Sequence, residues 1–161
     1  MENVIHEPQH YQCPFCLLIQ GIENEHVLSR QPDIFYHDEL VTAFIASHWW
    51  PGNPGHVLII PNKHIENIYS LTGELSDRIH RLEIDVAKAL KETYRCDGVS
   101  SRQHNEPSGG QDVWHYHLHV FPRYEQDQLY TSRARRTTVE ERMLYSSMLR
   151  EYFARQTARN V

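Results

Sequence analysis

The 161-residue sequence has few cysteines, few glycines and no long apolar segment. Its cysteines number only three, an odd and small count that excludes the disulfide framework of a small secreted domain. Apolar runs reach no more than a few residues, whereas a membrane-spanning helix needs roughly 20. The first residues lack the basic and apolar regions of a secretion signal, so we expect a cytoplasmic protein without a membrane segment.

A strong charge of either sign is also missing. The formal net charge is -5, from 16 basic and 21 acidic residues. Before Arg123 there are 8 basic and 16 acidic side chains, and from Arg123 onward there are 8 and 5. This balance argues against general nucleic-acid binding. For the small basic cluster Arg133, Arg135 and Arg136, a solvated surface and a contact with the distal anionic groups of a long substrate are both open.

Periodicity along the chain predicts an α+β fold. A helix beginning at Thr72 carries apolar side chains at steps of three or four residues, so one of its faces must lie against a sheet. The candidate strands are rich in β-branched and aromatic residues or alternate in polarity: residues 34–37, 40–46, 56–60, 98–103 and 114–121. The first two of these are expected to form an antiparallel hairpin.

The two ends of the chain differ from this central unit. Residues 1–12 have no periodic pattern and are expected to form a loose arm, followed by a short helix over residues 13–21. Near the other end, Thr138 and Glu141 match a capping box that starts a second helix. The predicted organisation is an N-terminal arm (1–12), one folded domain (13–125) and a C-terminal helical extension (126–161).

Histidine is abundant, with 12 residues, and three of them alternate along one predicted strand. Side chains two residues apart on a strand share a face and lie about 6.6 Å apart along the chain. His115, His117 and His119 therefore project from one side, while the residues that alternate with them face the core. Imidazole is the side chain for metal ligation and for proton or phosphoryl transfer near neutral pH, so this strand is the first candidate for chemistry.

Two further local patterns accompany the histidine strand. Gly109-Gly110-Gln111, just upstream, is poor in side chains and lets backbone amides approach an anion. Cys13 and Cys16 form a Cys-x-x-Cys pair, and this spacing alone leaves zinc binding and redox chemistry both open.

The histidine segment resembles the signature of the histidine triad (HIT) hydrolases and nucleotidyl transferases. That signature is His-x-His-x-His followed by two apolar residues, and residues 115–121 match it in full. Residues 55–64, with a Gly-His pair, an apolar run and Pro-x-x-His, resemble another strand of the family. The resemblance covers most of residues 13–123 and implies a five-stranded antiparallel sheet with a packed helix, and a homodimer.

The resemblance implies a nucleotide substrate and a role for each matching residue. His117 attacks the α-phosphorus and forms a nucleotidyl-histidine, and His119 contacts phosphate oxygens and helps to protonate the leaving group. Gln111 and Asn105 bind phosphate or leaving group, while His56 supports the catalytic loop through a hydrogen bond. For Phe44, which with Ile45 and Trp50 is a candidate for the base pocket, a place in the core is equally open.

A structural zinc ion is the one cofactor that the resemblance implies, and no organic cofactor is expected. Cys13 and Cys16 resemble the amino-terminal pair of the zinc-containing members of the family. With His64 and His115 they complete the two-thiolate, two-imidazole set of a closed tetrahedral site. In such a site His115 anchors the histidine strand and does no chemistry itself.

Two positions depart from the family pattern and keep several activities open. His48 stands where most relatives carry the Asp or Asn that holds the ribose, and Asp112 stands where many carry Ser or Thr. The preferred prediction is hydrolysis of a dinucleoside polyphosphate such as diadenosine tetraphosphate. The alternatives are a nucleoside phosphoramidate hydrolase, a nucleotidyl transferase, a nucleotide-binding module with little turnover, and a hydrolase with catalytic zinc.

Overall fold

The computed structural model describes residues 4–159, so residues 1–3 of the predicted arm and 160–161 of the predicted extension lie outside the described residues. The α-helices within this described range are α1 (Pro14–Ile19), α2 (Gly73–Thr93) and α3 (Val139–Arg159). The strands are β1 (Ile34–His37), β2 (Val41–Ile45), β3 (His48–Trp49), β4 (Val57–Pro61), β5 (Gly98–Gln103), β6 (Leu118–Arg123) and β7 (Arg135–Arg136). Within the described residues, no helix combines the length and the apolar character needed to cross a membrane.

The predicted α+β architecture is confirmed. Five strands form an antiparallel sheet in the order β1-β2-β4-β6-β5, and β1 and β2 make the expected hairpin. The predicted apolar face of α2 is buried against this sheet, through Leu75, Ile79, Leu82, Val86 and Leu90. The Thr72 hydroxyl accepts a hydrogen bond from the Leu75 N–H (3.3 Å), as its place before the helix suggests.

The face of the sheet that points away from α2 carries His119 in a transverse row of side chains that runs across four neighbouring strands. Register pairs Phe44 on β2 with Leu58 on β4, Leu58 with His119 on β6, and His119 with Arg102 on β5. Paired residues of antiparallel strands lie on the same face, about 5 Å apart. The row therefore runs from an apolar end, through an imidazole, to a guanidinium.

The predicted strand over residues 114–121 is wrong in its first half, because β6 begins only at Leu118. The backbone groups before it are used elsewhere: the Tyr116 N–H donates to the Ile65 carbonyl (2.6 Å) and the His115 N–H to the Val113 carbonyl (2.8 Å). His115 and His117 consequently lie on an irregular segment that leads into the strand. The alternation persists, since Tyr116 and Leu118 belong to the core beneath α2.

The C-terminal extension packs on the domain from which it emerges. Thr138 and Glu141 form the predicted capping box through reciprocal backbone contacts of 2.8 and 3.3 Å. The residues before α3 form a short ribbon that was not predicted, in which β7 pairs with β3. Arg135 on this ribbon is paired with Glu141 (2.6 Å), so part of the basic cluster is neutralised locally.

The N-terminal arm is not loose over its described residues. The buried Glu66 carboxylate accepts backbone N–H bonds from His6 (2.8 Å) and Glu7 (3.2 Å). The Asn67 side chain donates to the Val4 carbonyl (2.6 Å). These partners lie about sixty residues away in sequence, so no local sequence pattern could predict the contacts.

Candidate active site and metal cluster

A cavity of about 500 Å³ opens on the histidine face of the sheet. One part of its wall is apolar and includes Phe15, Leu18, Val27 and Leu58. The other part presents imidazoles and one carboxylate, from His56, His117, His119 and Asp112. An apolar pocket next to a few convergent polar groups is the usual form of a small-molecule site.

His117 presents a bare ring nitrogen to this cavity. Its Nδ1 lies 2.7 Å from the His115 carbonyl oxygen, and since a carbonyl only accepts, Nδ1 carries the proton. In the neutral ring Nε2 then has a free lone pair. The side chain is 3% exposed, and Nε2 lies 3.8 Å from the Asp112 carboxylate, which is 85% exposed. His117 thus has the tautomer and orientation of a nucleophile.

His119 and His56 form a directional relay beside His117. The His56 Nδ1–H donates to the His48 carbonyl (3.2 Å), which leaves its Nε2 as an acceptor. The His119 Nδ1–H donates to that nitrogen (2.9 Å), so the His119 Nε2 is the free atom. The rings of His117 and His119 have centroids 4.9 Å apart, close enough to act on one substrate group.

Burial keeps these three imidazoles neutral. It lowers the pKa of His117, lowers the pKa of His119 well below its usual value, and lowers the pKa of His56 to about 3. Repulsion between the rings acts in the same direction, because a charge on His56 or His117 would disfavour protonation of His119 and so lowers its pKa further. At pH 7 the site therefore offers lone pairs rather than imidazolium charge.

Gln111 and Asn105 do not line the cavity. The Gln111 amide donates to the Glu66 and Val113 carbonyls (2.7 and 3.0 Å) and accepts from the Glu106 N–H (2.8 Å). The Asn105 side chain accepts from the Ile68 N–H (2.8 Å) and donates to the Gln103 side chain (2.6 Å). Both side-chain amides make hydrogen bonds that hold the loop before the histidines in place. To bind phosphate, they would have to break these hydrogen bonds.

The residues considered for the base and ribose have different positions. Phe44 and Ile45 are fully buried and do not line the cavity. Phe44 lies behind two residues that do: it packs edge-on against the Phe15 ring (centroids 5.5 Å apart) and pairs with Leu58. Trp50 does line the cavity. His48 lies at its rim, with an exposed side chain and a carbonyl that anchors His56.

Sequence reasoning assigned no role to two residues near the histidines. His104 donates from Nδ1 to the Gly109 carbonyl (2.6 Å), and its ring centroid is 5.7 Å from that of His119. Gly110, at φ +84, permits this approach, since a Cβ there would lie 3.1 Å from the His104 ring. Arg102 reaches the site only through the pairing of β5 with β6, which no local pattern reveals.

Cys13, Cys16, His64 and His115, the set that the family resemblance implied, converge in a cluster whose donor atoms all lie within 4.8 Å of one another. Three S···N separations are 3.3, 3.3 and 3.6 Å. Tetrahedral zinc with ordinary Zn–S and Zn–N bonds requires about 3.5 Å between such ligand atoms. The donor set and its spacing therefore fit zinc.

The hydrogen-bond partners of the His115 and His64 rings are also those expected at a metal site. The His115 Nε2–H donates to the Pro61 carbonyl and the His64 Nε2–H to the Glu7 carboxylate, both at 2.9 Å. Each Nδ1 is thereby left bare toward the thiols, as in metal sites whose ligands are oriented from behind. The Cys16 thiol lowers the pKa of Cys13 through a hydrogen bond, which favours the thiolate form that binds zinc.

Comparison with known proteins was made by sequence and by structure. The HIT-domain family profile matches residues 28–126. "Protein hit" of Bacillus subtilis is 35% identical over 113 residues, which are 70% of this chain and 71% of that protein. The purine nucleoside phosphoramidase of Escherichia coli is 37% identical over 89 residues, which are 55% of this chain and 73% of that protein. The bis(5'-adenosyl)-triphosphatase of Dictyostelium discoideum is 30% identical over 100 residues, which are 62% of this chain and 66% of that protein.

The structural comparison shows the same fold. A zinc-bound histidine triad family protein from Mycobacterium smegmatis superimposes with a TM-score of 0.74, covering 91% of this chain and 96% of that one, at 24% identity. The profile match spans more than half of the chain and contains the three alternating histidines. From the motif, the sheet and these similarities together, the chain belongs to the HIT, or histidine triad, family.

Proposed function

We propose that this protein is a nucleotide hydrolase that works through a nucleotidyl-histidine on His117, with dinucleoside polyphosphates such as diadenosine tetraphosphate as preferred substrates. The observation that carries the proposal is the His117 ring itself. It is buried, kept neutral, and held by the His115 carbonyl so that Nε2 faces the cavity. A neutral imidazole lone pair is a competent nucleophile toward phosphorus at pH 7.

In the first step the His117 Nε2 lone pair attacks the α-phosphorus. The N–P bond forms as the bond from phosphorus to the leaving group breaks, and the electron pair goes to the leaving atom. An anionic phosphate beside His119 favours protonation of its Nε2, because opposite charge raises an imidazole pKa. The relay to His56 and the His48 carbonyl then holds the imidazolium in place while Nε2–H serves the leaving group.

In the second step water attacks the same phosphorus. Its proton passes to the His119 Nε2, the N–P bond breaks, and the electron pair returns to the His117 Nε2. The nucleoside monophosphate leaves with the enzyme restored. A hydroxyl acceptor in place of water gives the nucleotidyl transferase alternative, with no change in the residues used.

A second candidate, hydrolysis of nucleoside phosphoramidates, is favoured by Asp112. Its carboxylate lies 3.8 Å from the His117 Nε2, where it repels a polyphosphate and tolerates an amine leaving group. Two relatives carry the two activities in their names: a phosphoramidase from Escherichia coli and a bis(5'-adenosyl)-triphosphatase from Dictyostelium discoideum.

The deciding experiment is intact-protein mass spectrometry after rapid quenching. Wild type and His117→Ala are mixed with diadenosine tetraphosphate or with adenosine phosphoramidate. An increase by one adenylyl group in the wild type alone supports the mechanism, and the substrate that produces it identifies the leaving group. Product release without an adduct favours a metal-bound water as nucleophile, whereas tight AMP binding with neither adduct nor product indicates a binding module.

Lowering the pH should reduce activity only at pH values below the usual pKa of histidine, 6.5. Protonation of His117 removes the nucleophile, so activity is lost as pH falls through its pKa, which burial lowers from 6.5. We expect kcat/KM for diadenosine tetraphosphate not to fall as the pH is lowered from 8 to 6.5, because His117 keeps its lone pair and protonation of His119 assists the leaving group. A half-maximal rate at pH 6.5 contradicts this.

A folding control belongs to the same pH series. The lowered histidine pKa values also make the fold less stable below pH 6.5, because the unfolded chain then binds more protons than the folded one. Circular dichroism at each pH separates loss of the nucleophile from loss of structure.

We also propose that the cluster Cys13, Cys16, His64 and His115 holds one structural zinc ion. With four protein donors the site has no open position for substrate, which argues against the catalytic-zinc alternative. When bound, the ion would link the arm and α1 to the segment that precedes His117. Its two thiolates and two imidazoles make the site neutral overall.

Removing a ligand should remove the metal. Cys16→Ala is expected to abolish stoichiometric zinc by elemental analysis, and Glu7→Gln to weaken zinc binding about 10- to 100-fold, because Glu7 orients His64. Cys96→Ala, which changes the cysteine outside the cluster, is the matched control. One zinc per chain retained by Cys16→Ala would sink the assignment.

A homodimer and a cytoplasmic location complete the proposal. The edge of the sheet at β5 and the exposed Ile84 of α2, 55% exposed, are available for a two-fold contact. Sedimentation at micromolar concentration tests the dimer.

A further inference from the structure

Arg102 lies at the end of the transverse row opposite to the apolar wall of the cavity. Its register partner is His119, and beyond His119 in the same row come Leu58 and Phe44. Leu58 lines the cavity next to the histidines. Arg102 does not line this cavity itself but lies next to His119, which does. A substrate whose apolar base occupies the apolar wall and whose α-phosphorus meets His117 can therefore extend its leaving group past His119 toward β5.

The guanidinium of Arg102 is fixed in orientation without being neutralised. Its Cζ lies 4.7 Å from the ring centroid of Trp50 and 4.8 Å from that of Phe121. These rings hold the guanidinium by cation–π contact. Among residues 4–159, its buried Nε has no hydrogen-bond partner. The guanidinium is therefore held in place by two rings, and its Nε donor is unused within the described residues.

Arg102 also supplies charge that the histidines do not. His119, the register partner of Arg102, lies 2.9 Å from His56 in a buried pair, and burial lowers the pKa values of both, so neither carries a charge at pH 7. The Asp112 carboxylate, on the loop before the histidines, lines the cavity, is largely exposed and lies 3.8 Å from the His117 Nε2. An anion entering here meets one negative and one permanent positive charge, and only the positive one has fork-shaped donors suited to phosphate.

Resting on the proposed function, we infer that Arg102 is the binding residue for the phosphates of the leaving group and selects polyphosphate over amine leaving groups. It counters the repulsion from Asp112, so that a polyphosphate is accepted despite the carboxylate. Arg102 forms and breaks no covalent bond. It stabilises the negative charge that accumulates on the leaving oxygen as the bond from phosphorus to that oxygen breaks.

The test compares two substrates that share the adenylyl group. Diadenosine tetraphosphate releases an anionic polyphosphate, and adenosine phosphoramidate releases ammonia. Arg102→Met is expected to lower kcat/KM about 10- to 100-fold on the first and less than about threefold on the second, as for loss of a hydrogen bond to a charged group. Arg102→Lys should fall between, since it keeps the charge but loses the planar fork.

The matched control is Arg81→Met, which removes an exposed arginine on α2 far from the cavity and should change neither substrate. Equal losses on both substrates, or no loss on the tetraphosphate, would overturn the inference.

A binding measurement decides the same point without turnover. Calorimetry in magnesium-free buffer should show that ATP binds wild type more tightly than AMP, and that Arg102→Met removes this difference. If the wild type forms no adduct and no product, the proposed hydrolase fails, yet the ATP-to-AMP ratio still tests Arg102. An unchanged ratio in Arg102→Met rejects the subsite whatever the activity.

Discussion

Replacement of His117 by alanine is expected to lower kcat/KM by about 10⁴-fold or more, because the residue supplies the attacking electron pair. The neighbouring His119 also has a free Nε2, but that atom is needed for proton transfer, and its Nδ1 is engaged by His56. The loss should affect tetraphosphate and phosphoramidate alike, since both require the same nucleotidyl intermediate, in contrast to the selective effect expected at Arg102.

Stability measurements make this result specific. The fold should lose only about 1 kcal/mol with the hydrogen bond from Nδ1 to the His115 carbonyl. His80→Ala, which removes an exposed imidazole on α2, is the matched control and should keep full activity. Activity of His117→Ala within tenfold of wild type would exclude a covalent role for this residue.

The second large effect is expected from Arg142→Met. Arg142 is 1% exposed, and its Nε lies 2.9 Å from the Asp33 carboxylate, which is fully buried. Its other nitrogens donate to the Thr137 carbonyl (2.7 Å) and the Leu28 carbonyl (3.2 Å). The substitution leaves Asp33 charged and without its partner inside the protein, which should cost about 3–5 kcal/mol of unfolding free energy.

Urea unfolding of the full chain measures this cost. A second substitution, Asp33→Leu, in the Arg142→Met background should recover part of the stability, because it removes the uncompensated charge. Loss below about 1 kcal/mol in the single variant would mean that water reaches Asp33. A transition confined to α3 would mean that the extension unfolds independently of the domain.

The ion pair of Arg142 and Asp33 also connects α3 to the wall of the cavity. It joins the start of α3 to the segment that ends at Asp33 and, through the Leu28 carbonyl, to the cavity wall. The basic, polar C-terminal part of the sequence gave no sign that one of its arginines is among the most buried side chains of the protein. A charged side chain on a polar helix is usually exposed to solvent. Arg142 is buried instead because the buried Asp33 carboxylate pairs with it.

Local patterns were sufficient for the parts of the fold that local contacts build. The apolar stripe of α2, the capping contacts of Thr72 and Thr138, and the β1–β2 hairpin involve residues close in sequence. The orientation of His117 is of the same kind, because its Nδ1 is held by a carbonyl two residues away. The metal cluster was reached from sequence only through the resemblance to a family, since its donors span about a hundred residues.

Other features depend on how distant segments meet. Residues 114–117 leave the sheet because Ile65 takes the Tyr116 N–H, and Gln111 is turned inward because Glu66 offers it a carbonyl. Arg102 faces His119 only through the register of β5 on β6. The amino-acid order is thus enough to identify the family, the central helix and sheet, and the histidine expected to react. Tertiary packing alone decides which polar groups are already paired, and therefore which remain free to bind substrate, because a hydrogen-bonding group is satisfied by whichever partner lies beside it in space.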